Sequence, residues 1–244
     1  MSVDVRLSFS IMHLPTNPQR RALVQNMIAK MGGPKQIEED CVGWEIVEDY
    51  GKFGPQVTSR RAWLSAYRHS RSTHHLVLQD DAVLCKDFLL GVASAIEYNP
   101  RAAISLYANR RNVETAKEMG ISWASFRDGL WGVAVVIPTD WISTYMAWAK
   151  ANIPPVYPHD DRRLGLWLWE HDLPALGTVP SLVEHGGWNS STLGHSQAHS
   201  RARWFIGEDV SALSVDWSKG CDRPVPTKPN YSLNWLRKDV DEWR

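Results

Sequence analysis

Two adjacent carboxylates, Asp80 and Asp81, stand at the end of the apolar run His74-His75-Leu76-Val77-Leu78-Gln79. A short buried strand carries its last residues to the edge of a sheet, where open α/β folds bind their ligands. Two carboxylates placed there repel each other unless a cation or hydrogen-bond donors hold them. Their hard oxygens suit Mg²⁺ or Mn²⁺, ions that usually arrive with a phosphate. The pattern points to chemistry on a diphosphate. The bland alternative is a turn or cap signal ahead of the helix that opens near Phe88.

A second acidic pair, Asp160-Asp161, follows the Pro-rich loop that ends in Tyr157-Pro158-His159. Carboxylates at a helix start either cap it and offset its dipole or act as a general base toward an acceptor hydroxyl. A helix N-terminus lowers a carboxylate's pKa, so useful basicity must come from burial or from the neighbouring aspartate. Further on, a strand delivers His185, either a ligand or a hydrogen-bonded structural residue. The Gly186-Gly187 turn and the hydroxyls of Ser190 and Ser191 behind it let backbone N–H groups approach an anion. Trp131, in Asp128-Gly129-Leu130-Trp131-Gly132, either stacks on a sugar or fills a turn.

Strands alternating with helices must position these groups. Val5 to Leu14 reads as a first strand, followed by a helix that Asn17-Pro18 opens and Gly32-Gly33 closes. Cys41 to Glu48 reads as a strand, Thr58 to His69 as a helix, and His75 to Gln79 as the strand bearing the doublet. A helix over Phe88 to Tyr98, a strand over Ala103 to Tyr107 and a short helix over Val113 to Met119 follow. Two β-rich pieces, Ser122 to Phe126 and Gly132 to Ile137, precede a helix from Thr139 to Ala151 and another from Asp160 or Asp161. This order predicts a mostly parallel sheet between helices, a nucleotide-binding architecture by default. Residues 195–244, rich in Ser, Pro, Trp and basic side chains, read as an extension that wraps the 1–194 domain rather than a second core.

With 244 residues the chain is long enough for one sizeable α/β domain or two small ones, and it can bury a real core. Its 27 basic and 27 acidic residues balance, so an anionic partner must be met by a local patch rather than a global field. Three scattered cysteines without a C-x-x-C pair argue against a disulfide framework or zinc, and no long apolar run suggests a membrane span. A soluble, cytoplasmic protein is expected. The thirteen tryptophans exceed ordinary core use and hint at a sugar or base ligand.

Leu78-Gln79-Asp80-Asp81-Ala82, Trp131-Gly132, His159-Asp160-Asp161 and Pro180-Ser181-Leu182-Val183-Glu184-His185 followed by Ser190-Ser191 resemble, in that order, the motifs of GT-A glycosyltransferases. The likeness spans residues 5 to 192 and is to small enzymes with a Glu-Asp-Asp metal motif, including lipopolysaccharide-type glycosyltransferases and N-acetylglucosaminyltransferases. It implies an α/β, GT-A-like single domain that uses a nucleotide-sugar donor, most simply a UDP-sugar. Asp81 would ligate Mn²⁺ or Mg²⁺ with His185 completing the coordination, and Asp80 would bind donor hydroxyls. Gln79 stands where the family often has Glu. Ser190 or Ser191 would hold the diphosphate, and Arg20 or Arg21 would lie near the base or phosphates unless solvated. Asp161 would be the base of an inverting displacement, with Asp160 as the reserve.

Basic residues interleave with aromatics at Arg60-Arg61-Ala62-Trp63 to Tyr67-Arg68, at Tyr107 to Arg111, and at His199 to Phe205. If these runs converge they form a phosphate-tracking surface with stacking platforms; scattered surface charge is the alternative. The chain also resembles small phage-type glycosyltransferases that decorate hydroxymethylated pyrimidines. That resemblance implies 5-hydroxymethylcytosine in DNA as acceptor, flipped out of the duplex, and the host cytoplasm as the place of action. A lipopolysaccharide or other glycan acceptor is the enzymatic alternative. An inactive GT-A-like module that binds a nucleotide or nucleic acid is the non-enzymatic one.

Overall fold

The computed structural model describes residues 4–126, 129–186, 201–226 and 232–243. The first half runs β1 (Leu7–His13), α1 (Pro18–Lys30), α2 (Gly33–Asp40), β2 (Gly43–Glu48), α3 (Gly54–Ser65), β3 (His74–Gln79), β4 (Ala82–Leu84), α4 (Phe88–Tyr98) and β5 (Ala103–Ser105). It continues through α5 (Arg111–Glu118), β6 (Trp123–Ser125), β7 (Ala134–Pro138), α6 (Trp141–Asn152), α7 (Asp160–Glu170), β8 (Ala175–Thr178), β9 (Val183–His185), β10 (Val225–Pro226) and α8 (Leu233–Asp241).

Eight strands form one mixed sheet in the order β10-β6-β8-β5-β7-β3-β1-β2. Four of its seven neighbouring pairs are parallel, and β7 runs antiparallel between β3 and β5. Side chains alternate across the sheet, as the strand period demands. On β3, Leu76 and Leu78 face a core shared with α1, α2 and α4, through Val24, Met27, Ile37, Phe88 and Val92. Val77, between them, faces the opposite core, built with α3, α6 and α7 through Trp63, Tyr145 and Trp167. The result is three layers, helices on both faces of a mostly parallel sheet.

The connection from β1 to β2 thus crosses one face and that from β2 to β3 the other. Because β1 lies between β2 and β3, the chain switches direction at β1, and a crevice opens beyond the strands' C-terminal ends. Under α3, His75 is buried in a polar knot, with Nδ1 2.8 Å from Ser8 Oγ and Nε2 3.0 Å from the Ala62 carbonyl oxygen. Burial holds this imidazole neutral, its pKa lowered to about 3.

Several elements differ from their sequence reading. Gly32 and Gly33 do turn the chain at φ 86° and 81°, but Pro34 then starts α2 at once, in the first-turn position where its missing N–H is harmless. α3 begins at Gly54 rather than Thr58, again with a proline in its first turn. β8, Ala-Leu-Gly-Thr, carries little β propensity and is held by β5 on one side and β6 on the other. Within the C-terminal region, β10 pairs with β6, and α8 buries Leu236 and Val240 against the α6 and α7 side of the core.

Among the described residues, Trp63, Trp123, Trp141, Trp167 and Trp217 are buried, and Trp44, Trp131, Trp148, Trp169 and Trp204 pack partly buried against the two cores. The three cysteines are free thiols, and burial pushes Cys41 and Cys85 up to about 12. Among the described residues, no helix is long and apolar enough to cross a membrane.

Candidate functional site

The crevice beyond β1, β2 and β3 holds a cavity of about 350 Å³. Its walls include Met12, His13 and Leu14 from the end of β1, Arg20 from α1, Asp49 after β2 and Gln79, Asp80 and Asp81 after β3. Thr58 of α3, Asp160 of α7 and His185 of β9 complete the enclosure. That volume lies in the range of small-molecule sites.

The doublet is buried, Asp80 at 2% and Asp81 at 3% exposure. Asp80 Oδ2 accepts the Leu14 N–H at 2.7 Å and lies 3.1 Å from His13 Nδ1, while Oδ1 accepts from the Arg20 guanidinium. The other arm of Arg20 donates to Asp81 Oδ2 at 2.9 Å. Arg20, at 7% exposure, is therefore a site residue rather than a solvated one. Asn17 caps α1 by accepting the N–H groups of Gln19 and Arg20, and this fixes the first turn from which the guanidinium reaches back to β3.

His185 arrives by a two-stranded sheet. β4 and β9 pair antiparallel with Ala82 opposite His185, which sets the imidazole Nε2 3.2 Å from Asp81 Oδ2. Gly186 makes the close approach possible. Its N–H donates to the Asp81 carbonyl at 2.7 Å, and a β-carbon there would lie 2.5 Å from Val83 Cγ2. Tyr107 packs edge-on against the imidazole with ring centroids 6.4 Å apart. Against burial, which favours the neutral acid, His185 and Arg20 hold Asp81 ionised below the usual carboxylate range. Burial in turn disfavours the charged imidazole of His185, but Asp81 outweighs it and raises the His185 pKa.

Of the second acidic pair, Asp160 lines the cavity and Asp161 does not. Asp161 Oδ1 accepts the Arg162 N–H at 2.8 Å. Burial and the neighbouring Asp161 charge push Asp160 up to about 6, against the pull of Arg163. Gly132 stands between the end of β3 and the start of α7. A β-carbon on it would stand 3.1 Å from Gln79 Nε2 and 3.4 Å from Asp160 Oδ1. Trp131, by contrast, is absent from the cavity wall: it packs on Phe126 and Tyr107 and carries the Arg110 guanidinium 4.8 Å above its ring.

Of the cavity residues that escaped the sequence reading, His13 and Asp49 carry ionisable side chains. His13 ends β1 in parallel register beside β3, so its side chain meets the doublet only through sheet pairing. Asp49 accepts the N–H groups of Lys52, Phe53 and Gly54 at 2.9, 3.1 and 2.8 Å and so builds the loop into α3. Burial works against its charge, but these donors keep its carboxyl below the ordinary range. The signal was present in Asp49-Tyr50-Gly51, an aspartate heading a glycine turn. Ser190, Ser191 and the His199 end of the third basic run lie outside the described residues.

The donor set accommodates a divalent cation in part. Asp81 Oδ1 is a buried oxygen with no hydrogen-bond partner, and an imidazole stands beside the same carboxylate. Among the described residues, no group of three or more His, Cys, Asp or Glu converges to hold an ion. An ion here must therefore complete its shell with ligand or water oxygens, as Mg²⁺ and Mn²⁺ bound to phosphates do.

No family model matches the chain, and no curated protein matches it. Among solved structures it is similar to that of A197 from STIV, at 11% identity and a TM-score of 0.43, covering 74% of this chain and 84% of that one. It is similar also to a glycosyltransferase involved in the glycosylation of the major capsid of PBCV-1, at 11% identity and a TM-score of 0.38, covering 69% of this chain and 76% of that one.

Proposed function

We propose that this protein is a glycosyltransferase that moves a sugar from a nucleotide-diphosphate sugar, a UDP-sugar in the simplest case, to an acceptor hydroxyl with inversion. The observation that carries the reading is that Arg20, Asp81, His185 and Asp160, delivered by four separate elements, line one cavity at the topological switch of the sheet. Such a set offers positive charge for a diphosphate and a separate carboxylate for the acceptor.

Asp81 and His185 would hold Mn²⁺ or Mg²⁺ together with the donor. The ion, when bound, would neutralise charge gathering on the departing diphosphate, so that no proton donor is needed there. Arg20, at the N-terminal turn of α1, adds a guanidinium for the phosphates, and the helix dipole there favours an anion. Asp80 keeps Arg20 and the end of β1 in place, and a donor hydroxyl would add to those bonds. Gln79 presents an amide rather than a charge to the sugar. Asp160 takes the proton from the acceptor hydroxyl, and the adjacent Asp161 charge helps keep it basic. We thus favour Asp160 over Asp161 as base, on its place in the cavity wall. Ser190 and Ser191 are retained as diphosphate ligands on the resemblance alone.

For the acceptor we favour a hydroxymethylated pyrimidine in DNA. Val57, Arg60 and Arg61 form an exposed face of α3, and this helix lines the cavity through Gly54, Pro55 and Thr58. Tyr50 and Phe53, 58% and 54% exposed, stand in the loop ahead of it, with Arg61 over the Phe53 ring at 5.7 Å. Arginines beside exposed aromatic rings suit a phosphate backbone and an unstacked base. The run at Tyr107 to Arg111 makes no such surface, since Tyr107 and Arg110 are buried.

The test is transfer from a panel of nucleotide sugars, with Mn²⁺, to duplex DNA containing 5-hydroxymethylcytosine, with unmodified DNA and a lipopolysaccharide core as parallel acceptors. Labelled sugar on the modified DNA alone supports the full reading. Transfer only to the glycan replaces the acceptor, and neither transfer nor donor hydrolysis removes the glycosyltransferase reading.

A further inference from the structure

Asp81 has one oxygen taken and one oxygen bare. Oδ2 accepts from Arg20 at 2.9 Å and faces His185 Nε2 at 3.2 Å, whereas Oδ1 is buried without a hydrogen-bond partner. Leaving a charged oxygen unsolvated is costly, and the His185 imidazole and Arg20 guanidinium beside the same carboxylate make the arrangement tolerable. The same guanidinium also reaches Asp80, so one cation spans both acids. Removed from that position, it would leave two buried carboxylates facing each other.

This arrangement sets a problem for a lone metal ion. A dication on Oδ1 would share the Asp81 carboxylate with a guanidinium that also pairs with Asp80, and two cations so close repel in a buried site. Among the described residues there is no third acidic or imidazole ligand that could offset the repulsion. A diphosphate changes the balance, because its oxygens can take both the ion and the guanidinium. The place it would occupy adjoins the first turn of α1, whose dipole favours an anion, while the Gln19 and Arg20 N–H groups there already donate to Asn17.

We propose that Arg20 is the resident counter-ion of the doublet and competes with the divalent cation for Asp81, so that the ion is taken up tightly only when a nucleoside diphosphate arrives to receive the guanidinium. This rests on the proposed nucleotide-sugar site and adds to it a rule of loading: ion and nucleotide bind with positive coupling, and Arg20 is the residue that produces it. The protein would thereby refuse adventitious metal between turnovers.

The experiment is a calorimetric titration of the full chain with Mn²⁺ alone, with UDP alone, and with the two together. For the unaltered chain, UDP at saturation should tighten Mn²⁺ binding by about tenfold or more, within the usual range of coupling between sites. In Arg20→Gln, Mn²⁺ alone should bind about tenfold tighter than in the parent, and the tightening by UDP should shrink toward none. Arg20→Lys, which keeps the charge but loses the two-armed reach, should fall between them and serves where the glutamine variant does not fold. A second readout on the unaltered chain follows the Arg20 side-chain N–H resonances, which should shift when Mg²⁺ and UDP are added together and hold still with Mg²⁺ alone. Unchanged or weaker Mn²⁺ binding in both variants, or a full Arg20 shift with Mg²⁺ alone, overturns the proposal, as does a doublet that takes no ion under any condition. The outcomes are separable from those for the enzyme reading: coupled binding without sugar transfer would leave the counter-ion role intact and remove the transferase, and transfer with uncoupled binding would do the reverse.

Discussion

Gly132 and Asp160 touch by virtue of a missing atom: a β-carbon on Gly132 would come within 3.4 Å of Asp160 Oδ1 and within 3.1 Å of Gln79 Nε2. A methyl group there must push the Gln79 amide by a few tenths of an ångström, while Asp160 Oδ1 stands at ordinary contact distance. Gln79 ends in a movable group, so Gly132→Ala should fold with a loss of no more than about 1 kcal/mol, yet lower kcat about tenfold by displacing Gln79 at the cavity wall. Thermal unfolding and steady-state kinetics on the same preparation check it. An unchanged kcat would mean that Gln79 does not position the reaction.

Asp160 carries the clearest pH prediction. Its folded pKa of about 6 lies above the ordinary value of 3.8. The folded state therefore binds the proton better than the unfolded chain, and the ionised group opposes folding above about pH 6. Asp160→Asn should raise stability at pH 7.5 by up to about 2 kcal/mol, the full shift being reduced by solvent at the cavity, and give no gain near pH 4. The same substitution should lower kcat by about 10²- to 10⁴-fold. In the unaltered chain kcat/KM should rise with pH through about 6 and then level. Denaturant melts at the two pH values and a pH–rate profile separate these effects.

Asp49 should act in the opposite sense. Its depressed pKa means that its three backbone bonds stabilise the fold above the unfolded value near 3.9, and the contribution fades as pH falls through the lower folded value. Asp49→Ala should cost about 1–3 kcal/mol at neutral pH and weaken UDP binding by loosening the loop from Lys52 to Gly54. Titration calorimetry and chemical denaturation measure both.

The α3 face predicts a salt signature. If Arg60 and Arg61 each neutralise a phosphate, the Arg60→Ala/Arg61→Ala double variant should bind duplex DNA more weakly and reduce the slope of log K against log salt by about 2. Donor hydrolysis without DNA should be unaffected. A slope equal to that of the parent would move the acceptor surface elsewhere.

The acidic doublet, the strand that carries it, His185 and the second acidic pair were legible in the sequence because each lies on or beside a regular element with a clear period. Their convergence was not. It depends on β4, a three-residue strand that the sequence does not set apart, pairing with β9 so that Ala82 lies opposite His185. Arg20 read as one of two adjacent helix arginines, and only the Asn17 cap and the parallel register of β1 with β3 distinguish it from the exposed Arg21. Trp131 misled for a related reason. A tryptophan between glycines looks available to a ligand, whereas Phe126, Tyr107 and Arg110 pack around it and Gly132 is the neighbour that stands beside Gln79 and Asp160. α8 and β10 were hidden in a tail whose burial is supplied by the rest of the sheet rather than by its own periodicity.

The central claim is that Asp81 helps bind a nucleoside diphosphate together with a divalent ion, and calorimetric titration of UDP in the presence of Mn²⁺ tests it most directly. The account predicts saturable binding to the unaltered chain and a loss of about 100-fold or more in Asp81→Asn of unchanged circular dichroism. Equal affinity in the two proteins, or no binding to either, would contradict it.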